Sequence, residues 1–476
     1  MSADLDQVFA ELRGEADTVP LASPAAARRR GTRRTRSRSM AAAALAVCLV
    51  GGGTAWFLRP QTPARPAPTA TTTARALPRA GQPVEYGGQA RAAKTVLLGN
   101  SAYTVWQDTA GTVRLFAAPL DRPAAGPMRA TAVTGDLDGA YTLEGTLVAG
   151  ARQSTGYHVW GLDPGTGTTR WDFAVASPAD LALFSQYAVH RDRQSGLITG
   201  LAVGTGKVMW TTPGDPGPGV PLLPVTAWDR QSKPASGSIG PVQPSPQAVT
   251  IIGGRVVALE PETGDRVFDQ PLAEPLVGTE AYAAWDGRLF ILRPGDRYEI
   301  VMTKLDASGE SKLVWTGDAG RTFQSMHGCG QHRLCVADED AAGAGQVTAV
   351  DYTLDTAANA PDWSAPLPGR VTGMAGGILV GGLAVTTDAG TALFRLQPGG
   401  FVATEPGPLA SYDESDRSVL ALPATAGGPV TRVVFRSGQR QLLGSIPVPG
   451  AGCFPAGYRL ICPGSTSLSI FQLPPT

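Results

Sequence analysis

Two kinds of hydrophobic pattern divide the chain. Met40 to Leu58 is a 19-residue stretch without a charge, AAAALAVCLVGGGTAWFL after the methionine. As a helix it is long enough to cross a hydrocarbon core of ~30 Å. Beyond residue 90 apolar residues come in short alternating or β-branched runs, such as Tyr157-His158-Val159-Trp160 and Arg255-Val256-Val257-Ala258. Gly, Pro, Asp and Thr separate these runs. A period of two bounded by turn residues predicts strands.

The flanks of the apolar stretch give it a direction. Arg28, Arg29, Arg30, Arg33, Arg34, Arg36 and Arg38 precede it, and Trp56 and Phe57 close its far end. Basic residues stay on the cytoplasmic side and aromatic rings settle at the headgroups. The expectation is a single-pass cell-membrane protein with a cytoplasmic tail (1–39), a transmembrane helix (40–58) and an extracytoplasmic remainder. Two other readings compete. A cleaved signal peptide lacks its Ala-x-Ala site here and would carry some 27 extra residues in front. A lipidation box at Leu45-Ala46-Val47-Cys48 has a bulky valine where a small residue is needed. Residues 59–90 are rich in Pro, Ala and Thr without apolar periodicity, which predicts an extended tether. In the tail, Leu5, Val8, Phe9 and Leu12 share one helical face, too short to be stable alone.

A repeat organises the rest. Residues 162–171 read LDPGTGTTRW, 201–210 LAVGTGKVMW and 259–268 LEPETGDRVF. Each copy has Leu, then Thr and Gly four and five residues on, then an aromatic at the ninth: Trp171, Trp210 and Phe268. Decayed copies carry Leu305-Asp306 with Gly309 and Trp315, Leu354-Asp355 with Trp363, and Leu396 with Gly399 and Gly400. The leading leucines are 39, 58, 46, 49 and 42 residues apart. A period of about 40 to 50 residues signals a propeller or a solenoid. The Asp/Thr-Gly segment is a hairpin turn in which glycine supplies a positive φ. The aromatic ring is best placed between adjacent blades, against the small residues of a turn.

The unit A/G-L-D-x-x-T-G-x-x-x-W resembles the tryptophan-docking repeat of PQQ-like, quinoprotein-type β-propellers. The resemblance runs over residues 91–474 and implies an all-β fold: a seven- or eight-bladed propeller, with eight favoured by the mean spacing of about 47 residues. It also implies closure by pairing of N- and C-terminal strands, with Tyr458–Cys462 and Ser467–Leu473 as C-terminal contributors.

Composition narrows the function. Gly (59) and Pro (40) are about a fifth of the chain, which excludes long helical bundles. Forty basic residues balance forty acidic ones, which argues against nucleic acid as a partner. Only five of the basic residues are Lys, a skew of the kind a G+C-rich bacterial genome imposes. Outside the apolar stretch, which holds Cys48, the cysteines fall as Cys329/Cys335 and Cys453/Cys462. In an oxidising compartment these are most simply two local disulfides, although four cysteines allow three pairings. His327, Cys329, His332 and Cys335 could instead hold zinc, although the spacing is not that of a zinc knuckle.

Catalytic signals are sparse. No G-x-S-x-G, H-E-x-x-H or phosphate-binding loop occurs, and there are four histidines: His158, His190, His327 and His332. The resemblance would imply PQQ between a tryptophan floor, drawn from Trp106, Trp160, Trp228 or Trp285, and a disulfide of adjacent cysteines. No two cysteines are adjacent. The acidic runs Asp338-Glu339-Asp340 and Asp413-Glu414-Asp416 lack the spacing of a calcium loop and are expected as solvated loops. The expectation is therefore a non-catalytic module, with no cofactor, holding an envelope protein, peptide or glycan. Scaffold lipoproteins of outer-membrane protein assembly are non-enzymatic relatives of the PQQ-like class. Alternatives are a PQQ-dependent envelope oxidoreductase and a signalling protein using the cytoplasmic tail.

Overall fold

In a computed structural model, the residues described are 75–121, 123, 126, 128–217, 222–225, 247–272, 282–306, 308–330, 332–353, 361–379, 382–396, 399–413 and 418–474. The stretches read above as tail (1–39) and membrane helix (40–58) lie outside them. Among the described residues no helix is long and apolar enough to cross a membrane.

Four-stranded antiparallel sheets account for nearly all of the secondary structure. Nine of them follow one another along the described chain. Blades 1 to 8 span residues 90–130, 136–175, 181–213, 223–271, 282–316, 321–366, 371–405 and 409–445. Each is a simple meander whose strands pair in sequence order, the first to the second, third and fourth. Blade 9 breaks that rule. Its strands Phe454–Ala456, Arg459–Pro463 and Ser467–Gln472 come from the C-terminal end, and its fourth is Val84–Glu85. Val84 pairs with Leu468 and Glu85 with Ser467, antiparallel.

The core lies between blades, not within them. Nine buried apolar clusters each join side chains of two consecutive blades, and the ninth, which includes Tyr86, Trp106, Phe116, Ile461 and Ile470, joins blade 9 to blade 1. A four-stranded sheet has two apolar faces and cannot cover both alone; a closed ring covers every face. The all-β propeller holds, and its blade number is nine, not seven or eight.

The miscount has a physical cause. Leading leucines mark only blades 2 to 7, and their spacing is stretched by connections such as residues 225–247, inside blade 4. The closing blade takes only residues 454–472 from the C-terminal end. Spacing measures strands plus loops, whereas the number of blades follows the strands.

The ring also begins earlier than composition implies. Residues 75–86, inside the Pro/Ala/Thr-rich stretch 59–90, are built into it. The Leu77 N–H donates to the Ser445 carbonyl at 2.9 Å on blade 8, and Gln472 N–H to Pro78 at 2.8 Å on blade 9. Leu77, Val84 and Tyr86 are buried. Proline there breaks the strand pattern without preventing isolated pairing at a blade's outer edge, where a missing N–H costs no ladder bond.

Candidate functional site

The docking aromatics sit at the seams between blades. Trp171, the third residue of blade 2's outer strand Thr169–Val175, is 7% exposed and donates Nε1–H to the Val203 carbonyl of blade 3 at 2.6 Å. Gly206, with φ of 71°, lies so close beneath it that a Cβ there would come within 2.3 Å of the Trp171 side chain. Trp210 repeats the arrangement one blade on: Nε1–H to the Pro261 carbonyl at 2.9 Å, over Gly264. Each indole also covers a glycine of its own sheet, Gly161 under Trp171 and Gly200 under Trp210. Opposite the smaller Phe268 that position is Ala258.

The later copies are looser. Trp363 covers Gly399 of blade 7, with a Cβ there at 2.5 Å, and stacks on Phe394 at 6.0 Å. Trp315 instead points its Nε1–H at the Tyr298 hydroxyl of its own blade, 3.3 Å away. In blade 1, which has no aromatic at this point, Arg129 lies over Gly167 and reaches toward Pro164. Leu354 and Asp355 lie outside the described residues.

The four cysteines form two disulfides, Cys329–Cys335 and Cys453–Cys462, with Cα atoms 5.6 and 4.2 Å apart. All four are buried in seam clusters, so they tie the first two strands of blades 6 and 9 within the core instead of pinning an exposed edge. The sulfurs are thereby unavailable to zinc. Among the described residues no group of three or more His, Cys, Asp or Glu side chains is placed to hold a metal. His332 belongs to a different assembly. One carboxylate oxygen of Asp286 accepts from Tyr352 (3.0 Å) and Arg288 (3.0 Å) and lies 3.1 Å from His332 Nδ1. Asp286 and His332 both have positive φ, at 50° and 61°, so two strained turns on neighbouring blades are held by one ion and hydrogen-bond cluster.

Several other polar candidates are likewise engaged. Asp338 is buried and accepts from Tyr298 Oη and Arg321 Nε, both at 2.6 Å. Glu339 accepts from the Val371 N–H, and Asp340 caps its turn through Ala342 and Ala344. This run is thus strand and lock, not solvated loop. Glu414 and Asp416 lie outside the described residues. His158 sits 2.9 Å from Asp172 and stacks on Trp160; His190 stacks on Phe173. Burial pushes the imidazoles of His190 and His327 below their ordinary range. Sequence reasoning missed a buried cluster in blade 3, where Asp180 (0% exposed) contacts Arg191 at 2.8 Å and Arg193 at 2.6 Å. Three charged residues far apart in pattern gave no signal of it.

Among the described residues no arrangement fits PQQ. Each disulfide spans a turn, not two adjacent cysteines. Trp106, Trp160 and Trp285 are buried in three separate seam clusters and offer no shared open floor; Trp228 lies outside the described residues.

Asn100, Tyr458, Arg459 and Gln472 meet at the closing seam. A cavity of about 390 Å³ opens between blades 9 and 1, lined by Asn100, Leu120, Ala456, Tyr458, Arg459, Gln472 and Leu473. Leu120 and Leu473 are buried, whereas Tyr458 is 63% exposed. The turn Gly457–Tyr458 and the segment ends at Asn100 and Gln472 converge there only because the N-terminal strand closes the ring.

Residues 194–353 match the family model described as outer membrane protein assembly factor BamB. That runs from within blade 3 to within blade 6 and takes in the repeat copies that begin at Leu201, Leu259 and Leu305. No curated protein matches the chain. Among solved structures, one described as the eukaryotic initiation factor is 12% identical over 79% of this chain and 97% of that one, with a TM-score of 0.45. Sqt1 of Saccharomyces cerevisiae is 11% identical over 84% and 100%, at 0.43. The dihydro-heme d1 dehydrogenase NirN, in complex with DHE, is 13% identical over 73% and 74%, at 0.40. The chain is a β-propeller with PQQ-like repeats.

Proposed function

We propose that this protein is a membrane-tethered, extracytoplasmic propeller that binds a protein, peptide or glycan of the envelope without catalysis. The observation that carries the reading is the division of labour among polar groups. His332, the four disulfide cysteines and Asp338 are engaged in the seams, while Asn100, Tyr458, Arg459 and Gln472, whose side chains have no partner among the described residues, line a surface cavity. Catalysis needs a positioned acid, base or nucleophile free to change state; binding needs complementary surface. The apolar stretch 40–58 and its seven preceding arginines support the tether. The name of the matched family model supports a protein partner in coarse terms, since an assembly factor works by contact.

The test is crosslinking of the full-length chain in its native envelope, followed by identification of what is captured. One partner enriched reproducibly is the expected result. Capture of nothing, or oxidation of alcohols or sugars by the purified chain supplied with PQQ, would remove the reading.

A further inference from the structure

We infer that the cavity at the closing seam is a binding site for a carboxylate carried on an apolar group, such as the last residue of a peptide with an apolar side chain. The assignment rests on the non-catalytic binding reading above and names the chemistry of one ligand. Arg459 lines the cavity, and among the described residues its guanidinium has no hydrogen-bond or acidic partner. The side chains of Asn100, Gln472 and Tyr458 are likewise unpaired there. Among the described residues no acidic one lines the cavity, and Asp121, next to Leu120 in sequence, already has a partner of its own.

The chemistry of this set is selective. A guanidinium presents two parallel N–H donors that match the two oxygens of a carboxylate. The two amides and the phenol add neutral donors. A single cation suits a monoanion better than a phosphate of charge near −2, which would leave charge unbalanced. Leu120, Leu473 and Ala456 line the same cavity and give it apolar atoms for a side chain next to the carboxylate. A volume of about 390 Å³ falls at the small end of ligand sites and suits one or two residues, not a long segment.

Fluorescence anisotropy with the full chain tests this, using a fluorescein-labelled pentapeptide, Gly-Ser-Gly-Ala-Leu, with a free C-terminus. Saturable binding is expected, weakened at least tenfold when the peptide ends in an amide and when the protein carries Arg459→Gln. Unlabelled N-acetyl-leucine separates the sources of the carboxylate. Competition at similar concentration assigns the site to small free acids, and failure to compete assigns it to peptide ends. Equal binding of acid and amide, equal binding to Arg459→Gln, or no binding at millimolar protein overturns the inference. Should Arg459→Gln fail to fold, Asn100→Ala, on the opposite blade, replaces it with the same expected direction. Envelope capture that persists unchanged in Arg459→Gln would overturn the cavity as the capture site and leave the broader binding reading intact.

Discussion

Glycine matters at two distinct kinds of position in this ring. Gly145 and Gly206 have the same φ, 71°, yet a Cβ at Gly145 would meet nothing within 4 Å, whereas one at Gly206 would run into Trp171. An L-residue in this region costs roughly 1–2 kcal/mol whatever surrounds it. Gly145→Ala should therefore lose about 1 kcal/mol, and Gly206→Ala that amount plus the displacement of a docked indole, about 3 kcal/mol in all. Urea melts of both variants measure the difference; equal losses would show that the indole does not rest on the turn. The pairing of ring size with floor size was half legible. The turn glycine stands in the repeat, five residues after each leading leucine. The strand glycines Gly161 and Gly200 stand at the opening A/G position of the repeat but reveal their purpose only when the partner strand lays Trp171 and Trp210 over them.

Where the repeat carries an acid after its leading leucine, that acid stabilises the turn between the third and fourth strands. In blade 2, Asp163 accepts from Arg170 at 2.5 Å and from the Gly165 and Thr166 N–H groups at 2.8 Å. The bond from Arg170, followed by those from Thr166, lowers its pKa to about 2. A carboxyl with a depressed folded-state value stabilises the fold at pH values above its unfolded value and loses that contribution as pH falls toward the folded one. The stability difference between wild type and Asp163→Asn should therefore be full at pH 5 and above, and shrink between about pH 4 and 2. Chemical denaturation across that range reads it, and a difference independent of pH would refute the role. Turn, strand and repeat were all visible in the order Leu-Asp-x-x-Thr-Gly. The ion locks were not. Asp338 and Asp180 look like any surface acid in sequence, because burial of a charge depends on an arginine from another strand or turn arriving within about 3 Å.

For the molecule as a whole, closure is the decisive event. Tyr86 is fully buried and stacks on Trp106 at 5.2 Å, so the N-terminal strand completes blade 9 and also seals it against blade 1. A chain lacking residues 75–86 should expose the 9–1 cluster, melt at lower temperature and lose hydrogen-exchange protection first in blades 9 and 1. Uniform loss around the ring, or none, would contradict a closure held by this strand. Sequence alone determined the strand class and the repeat, and set the cysteines in two close pairs, because each depends on residues close together in the chain. Tertiary structure alone decided that the blades number nine, that residues 75–86 belong to the ring, and that Asn100 and Arg459 share one cavity. These depend on how many wedges fill a circle and on which distant ends meet, quantities that no local pattern encodes.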